Sequence, residues 1–80
     1  MKINLVKELR GKKYIFGLKR TLKLLKKKLV EKIYLALDAP EIKKQKGVDI
    51  VKLDDNKETI KETLKKNFNI SVIAVIKNES

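Results

Sequence analysis

Residues 17–37 read GLKRTLKLLKKKLVEKIYLAL, a glycine followed by an amphipathic segment and then by an apolar run. The apolar positions of the amphipathic segment recur at helical spacing: Leu18, Leu22, Leu25 and Leu29. This spacing predicts a helix over residues 18–30 with one stripe facing the core and its lysines facing water. Residues 33–37 are apolar throughout, which predicts a strand in the interior of a sheet.

The flanking residues on either side predict shorter elements. Residues 2–9 carry apolar positions about one helical turn apart, so a short helix is expected to end at Gly11. Residues 14–16 are a brief β-prone run before Gly17. Residues 41–47 are polar and predict at most a turn or two of helix.

The rest of the chain predicts a strand, a helix and a strand. Residues 48–53 form the strand, and a helix over 56–66 follows, with Asp55 and Glu58 at capping-box spacing. The run 70–76 is nearly continuous in apolar residues and is expected at the centre of the sheet. Helices and strands thus alternate along one domain spanning 1–80, which predicts an α/β fold with helices on both faces of a small mixed sheet.

The residue types argue against an enzyme. The chain has no histidine and no cysteine, so the commonest activators of nucleophiles, zinc ligands and disulfides are missing. Its three glycines stand apart and form no phosphate-binding loop. We predict no catalysis, no cofactor and no metal; the enzymatic alternative requires a metal or ligand in a pocket lined by Asp38, Asp54 and Asp55. Lack of cysteine and of a long apolar run fits a cytoplasmic protein.

Charge points to a polyanionic partner. The 21 basic and 10 acidic residues give a net charge of +11, and the first forty residues, with twelve basic and three acidic side chains, carry +9 of it. A folded element with one cationic face is a candidate nucleic-acid surface, although solvated lysines are the plain alternative. The basic helix 18–30 also resembles a membrane-surface helix, but its leucines lack aromatic neighbours and are needed to cover the strands, so no membrane partner is expected.

The turn at Gly17 is the most informative candidate site. Glycine allows close approach of a ligand, and the helix that starts there presents free N–H groups. Lys19, Arg20 and Lys23 project near the same helix end. Together these groups predict an anion site suited to the phosphates of a nucleic acid, with an ordinary turn and solvated lysines as the alternative.

The same residues resemble a known family. Residues 17–26 are similar to the start of the second helix in the ribosomal proteins that bind kink-turn RNA, the L-seven-Ae and L-thirty-e superfamily with its short bacterial ribosomal-protein-like members. Residues 33–40 look like the family's apolar strand ending in Ala-x-Asp-Ala and a nearby proline. Residues 56–60 and 70–76 are similar to its later helix start and last strand, so the likeness follows the chain in order.

The resemblance implies a three-layer α/β/α sandwich with a four-stranded sheet and a non-enzymatic, ribosome-associated RNA-binding function in a ribonucleoprotein. The partner would be structured RNA, ribosomal RNA or another kinked stem. The implied RNA-binding positions are spread over four segments: Gly17, Lys19, Arg20, Lys23, Asp38, Lys57, Phe68, Asn69 and Ile70. Asp38 would lie at the edge of the site and shape its loop or touch RNA.

Two departures from the family keep an alternative open. The family's glycines are absent at Lys61 and Lys65, and the third helix, expected at 41–47, must be shortened or absent. Such a sheet would have one thinly covered face, open to a weak homodimer or a protein partner. The alternative function is therefore a protein-interaction module of the same fold that has lost specific RNA recognition.

Overall fold

In the computed structural model the chain is described over residues 5–44 and 46–77. The α/β class predicted from the alternating pattern is confirmed, while residues 2–4 of the first predicted helix lie outside the described residues. The elements in chain order are α1 (Leu5–Leu9), β1 (Tyr14–Phe16), α2 (Leu18–Lys26), β2 (Val30–Leu35), β3 (Asp49–Lys52), α3 (Lys57–Thr63) and β4 (Val72–Ile76).

The strands form one mixed sheet in the order β1-β4-β2-β3. β4 is antiparallel to both of its neighbours, and β2 is parallel to β3. The two apolar runs therefore occupy the two central positions, as predicted. Because Val72 pairs with Leu35, β4 begins where β2 ends. We call this end of the strands, where α2 also begins, the Gly17 end, and the opposite end of the strands the Lys77 end.

Side chains alternate between the two faces of the sheet and build a separate core on each. Ile33 and Leu35 of β2 pack with Leu25 of α2 on one face. Tyr34, between them in sequence, packs on the other face with residues of α1 and α3, including Leu9 and Ile60. The three layers are thus α2, the sheet, and the pair α1 and α3.

The inward face of α2 differs from the predicted leucine stripe. Leu22 is 42% exposed, whereas Thr21 is fully buried. The Thr21 hydroxyl donates a 2.7 Å hydrogen bond to the carbonyl of Gly17, so its polar group is satisfied inside its own first turn. The row that faces the sheet is therefore Leu18, Thr21 and Leu25, and the placement of Leu22 in the core was wrong.

α2 is also shorter than the predicted helix 18–30. Lys28 N–H donates to the carbonyl of Leu25 (3.1 Å) and Leu29 N–H to that of Leu24 (3.0 Å), the paired bonds of a Schellman motif. Lys28 takes the left-handed position that usually holds glycine, with φ 58°. The chain leaves the helix there, and β2 starts at Val30, three residues before the predicted strand.

The crossover from β2 to β3 contains no helix among its described residues, 36–44 and 46–48. The turn or two of helix allowed at 41–47 is not seen at 41–44 or 46–47, where the chain covers the sheet as an irregular segment. Ala39, Ile42 and Val48 pack against the core that α2 covers, and all three are half-buried. The face expected to be thinly covered therefore has a lining, which weakens the case for a partner surface there.

Candidate nucleic-acid interface

Backbone hydrogen bonds bring four chain segments together at the Gly17 end. Gly17 N–H donates to the carbonyl of Val72 (3.1 Å), which joins the start of α2 to β4. Ala36 N–H donates to the carbonyl of Ser71 (2.9 Å), and Ile70 N–H to that of Lys57 (3.4 Å). The end of β2 and the start of α3 thus meet the same loop. The segments that carry the sequence-predicted site residues converge on this end.

Gly17 caps α2 without a side chain. Its φ of 106° lies in the region that favours glycine, and no atom lies within 4 Å of where a Cβ would stand. As a glycine, this residue has no side chain with which to cap the first amides of α2. These N–H groups, with the positive end of the helix dipole, remain available to an anion.

The cations predicted for the site lie on the exposed surface of α2. Lys19 and Arg20 occupy its first turn and Lys23 the second, and all three are exposed. Residues 18–26 include no acidic side chain, so no neighbour on the helix offsets their charge. Three side-chain cations and free backbone donors near one helix end are the groups that bind phosphate oxygens.

Asp38 and Lys57 are in direct contact. The N–H of Lys57 donates a 3.1 Å hydrogen bond to Asp38 Oδ1, which fixes the loop after β2 against the start of α3. The cap of α3 is Asn56, whose Oδ1 accepts from Thr59 N–H at 2.9 Å. The run 54–56 was predicted to supply this cap, and Asn56 does so. Asp55 and Glu58 each lie one residue before the two positions of a capping box.

The loop before β4 divides into an exposed and a buried part. Phe68 is 47% exposed and its ring meets that of Phe16, next to Gly17, with centroids 5.8 Å apart. Asn69 is exposed as well. Ile70, by contrast, is 1% exposed and belongs to the core beneath α3, so its side chain is not an RNA contact and that part of the prediction is corrected.

Two residues at this end were missed by sequence reasoning. Leu37 follows the end of β2, next to Asp38, and is 57% exposed. Lys66 places its ammonium 5.7 Å from the ring centroid of Phe16, close to Phe68. A signal for Leu37 existed, since it is the last residue of an apolar run that ends in a turn. The sequence contained no such signal for Lys66, because lysines are frequent along the chain.

Charge is uneven across the Gly17 end. The α2 side carries only cations, whereas the α3 side adds the carboxylates of Asp38, Asp54 and Glu58 to Lys57. Within residues 5–44 and 46–77, no cluster of three or more acids is arranged to hold a metal ion.

In comparisons with known proteins, no protein family model matches the chain and no curated protein matches it significantly. The resemblance to kink-turn RNA-binding proteins therefore rests on the sequence alone. No helix in the described ranges has the length and apolar character needed to cross a bilayer.

Proposed function

We propose that the protein binds structured RNA with a kinked stem through the Gly17 end, as a ribosome-associated or other ribonucleoprotein component of the cytoplasm. The observation that carries the proposal is the convergence of three kinds of group on one end of the sheet. These are the uncapped amides and cations of α2, the Asp38–Lys57 contact, and the exposed ring of Phe68 beside Phe16.

Each kind of group has a different task in RNA recognition. Lys19, Arg20 and Lys23 neutralise phosphates and orient the RNA. Phe68 offers a ring face on which an unstacked base can lie, and exposed bases occur in kinked or looped RNA and not in a straight duplex. The apolar surface of Leu37 adds contact area beside that base. The preference for kinked RNA therefore comes from RNA shape and base stacking, and not from hydrogen bonds to base edges.

Binding to a kink-turn RNA and to a straight RNA duplex of equal length, measured by fluorescence anisotropy at two salt concentrations, tests this function. We expect tighter binding of the kink-turn RNA, with the difference maintained at the higher salt because stacking is not screened. Equal affinity for the two RNAs would refute the proposal and reduce the activity to non-specific attraction.

A charge-reversed pair locates the site. Lys19→Glu with Lys23→Glu should abolish the preference for kink-turn RNA while the circular-dichroism spectrum stays unchanged, because both side chains are exposed. Lys43→Glu with Lys44→Glu makes the same change of charge in the crossover, also at exposed positions. This control should lower both affinities equally and keep the preference. A retained preference in the α2 variant would place the RNA site elsewhere.

The protein-interaction alternative has less to support it. It needs an open apolar face beside β3, but Ile42, Val48 and Ile50 there are half-buried. Recovery of a protein partner without RNA, dependent on Ile42, would favour it over RNA binding.

A further inference from the structure

The Lys77 end of the sheet holds two adjacent clefts lined by basic residues. One, of about 450 Å³, has Arg10, Lys12, Lys13 and Lys77 on its walls. The other, of about 530 Å³, has Lys26, Lys28, Lys46 and Lys77. Lys77 is common to both, so seven cations line a continuous surface. We call this surface the Lys77 trough.

Strand pairing explains why the two clefts adjoin. Ile76 lies in the first cleft and Val30 in the second, and these residues are partners in the β2–β4 ladder. Lys77 N–H donates a 2.7 Å hydrogen bond to the carbonyl of Leu29, and Ile76 N–H a 2.9 Å bond to that of Lys13. Backbone hydrogen bonds thus fix the strand ends between the two clefts, and the cationic side chains extend from this fixed backbone.

Acidic residues scarcely offset this charge. Among the described residues that line the two clefts, Glu31 is the one carboxylate, and its Oε1 lies 3.9 Å from Lys12 Nζ. Both side chains of that pair are more than a third exposed, so the contact holds little energy and is easily exchanged for a phosphate. The Gly17 end, with its carboxylates near α3, is less uniformly positive.

We propose that the Lys77 trough is a second nucleic-acid site, which binds the phosphate backbone without regard to base sequence. Its described lining residues include no aromatic side chain for base stacking. The large apolar residues exposed on the described surface, Val6, Leu22, Leu37 and Phe68, all lie outside its lining. A protein interface would need such anchors and a membrane surface an apolar edge, whereas a row of cations is sufficient for a phosphate backbone.

The backbone at Lys28 makes this residue suited to a glycine substitution. A lysine in the left-handed region is disfavoured relative to glycine, and here it stands in the wall of the second cleft. With both ends occupied, one molecule holds two RNA segments separated by the length of β4, about 17 Å for five residues at ~3.4 Å each. The trough is independent of the proposed kink-turn site and stands if that function fails.

A pair of matched glycine substitutions tests the trough. Lys28→Gly removes one cation and relieves the left-handed backbone, so the variant keeps its fold. Lys65→Gly is the control, because Lys65 ends α3 in the same Schellman geometry, with φ 55°, but lines neither cleft. Both variants should show a raised melting temperature. Only Lys28→Gly should bind a straight RNA duplex more weakly.

The salt dependence of binding is the quantitative readout. For the wild type, the logarithm of the duplex association constant should fall steeply with the logarithm of salt concentration. Lys28→Gly should lower that slope by about one, as expected for one lost phosphate contact. A straight DNA duplex should give the same result, since the phosphate chemistry is shared. The Lys26→Glu and Lys46→Glu pair should lose at least tenfold in duplex affinity.

The outcomes separate the two proposals. The trough proposal would be overturned if Lys28→Gly and Lys65→Gly bound the duplex with equal affinity. It would also be overturned if the protein bound anionic lipid vesicles more tightly than duplex at equal phosphate concentration. Failure of the kink-turn site appears instead as an equal affinity of the wild type for kink-turn and straight RNA. That comparison does not involve the glycine variants.

Discussion

The main-chain N–H of Lys57 and the carboxylate of Asp38 are joined by a hydrogen bond of 3.1 Å across nineteen residues of sequence. This bond ties the turn after β2 to the first residue of α3. Both partners are exposed, so the bond is accessible to a ligand as well as to water. The contact therefore gives Asp38 a structural task at the candidate RNA surface, distinct from that of the cations on α2.

Replacing Asp38 by alanine should destabilise the protein by about 0.5–1 kcal/mol, as for loss of a helix-capping carboxylate. Asp54→Ala removes the same charge from an exposed position nearby and should have a smaller effect on the free energy of unfolding. Urea denaturation measures both. A larger loss in Asp54→Ala would show that charge, and not the bond to Lys57, is what stabilises this loop.

Gly17→Ala should cost about 1–2 kcal/mol, because an L-residue at φ 106° is strained even though the Cβ meets no atom. Gly11→Ala offers a comparison at φ 75°, closer to the left-handed region that alanine can occupy, and should cost less. Chemical denaturation of the two variants ranks them. The reverse order would mean that the backbone at Gly17 relaxes freely on substitution.

Phe68→Leu should separate stability from RNA binding. Leucine keeps apolar contact with Phe16, so the melting temperature should change little. The loss of a ring face should weaken kink-turn RNA binding by roughly tenfold or more, since stacking on a base contributes ~1–3 kcal/mol. The same substitution should leave the affinity for straight duplex unchanged. Unaltered kink-turn affinity would remove Phe68 from the site.

Tyr34→Phe removes a buried hydroxyl that has no hydrogen-bond partner among the described residues, a gain of about 1 kcal/mol. This gain should exceed the loss of the hydroxyl's attraction for the half-buried Lys32, so the variant should be more stable at neutral pH. The Lys32 ammonium lies 5.2 Å from the centroid of the same ring, and a phenylalanine ring preserves that contact. Thermal denaturation of both proteins provides the comparison. A destabilised variant would indicate that a bound water satisfies the hydroxyl.

The same pair predicts a pH dependence. The Tyr34 hydroxyl, although outside hydrogen-bond geometry, raises the pKa of Lys32 above its ordinary value of 10.5. A folded-state pKa above the unfolded one gives stability that is complete below pH 10.5 and is lost as pH rises through the folded value. Wild-type stability should therefore fall above that pH, and Tyr34→Phe should fall less. Parallel curves from denaturant titrations would contradict this.

Apolar runs predicted the fold because burial on both faces determines which strands are central. Residues 70–76 and 33–37 gave the two interior strands on this basis, although β2 begins earlier, at Val30. The strand start was hidden because Glu31 and Lys32 interrupt the apolar pattern at an irregular register between Val30 and Lys32. Local periodicity cannot reveal such a pairing.

A side-chain hydrogen bond within the first turn of α2 explains why the inward face of this helix was wrongly predicted. Thr21 is buried because its hydroxyl bonds to Gly17, and this displaces Leu22 to the surface. The candidate RNA surface was largely predicted, since its cations follow one glycine in sequence. The Lys77 trough was not, because Lys13, Lys28 and Lys77 meet only through the strand register.

The position of β4 has a consequence for synthesis. Of the four described strands β4 is synthesised last, yet it pairs with both β1 and β2, so Tyr14 of β1 has its partner Val75 only after β4 is made. A nascent chain stopped before Val72 can pair only β2 with β3, and Gly17 N–H lacks the carbonyl that fixes the start of α2. Chains that lack β4 therefore cannot assemble the Gly17 end, and the candidate nucleic-acid surface forms only once β4 has been made.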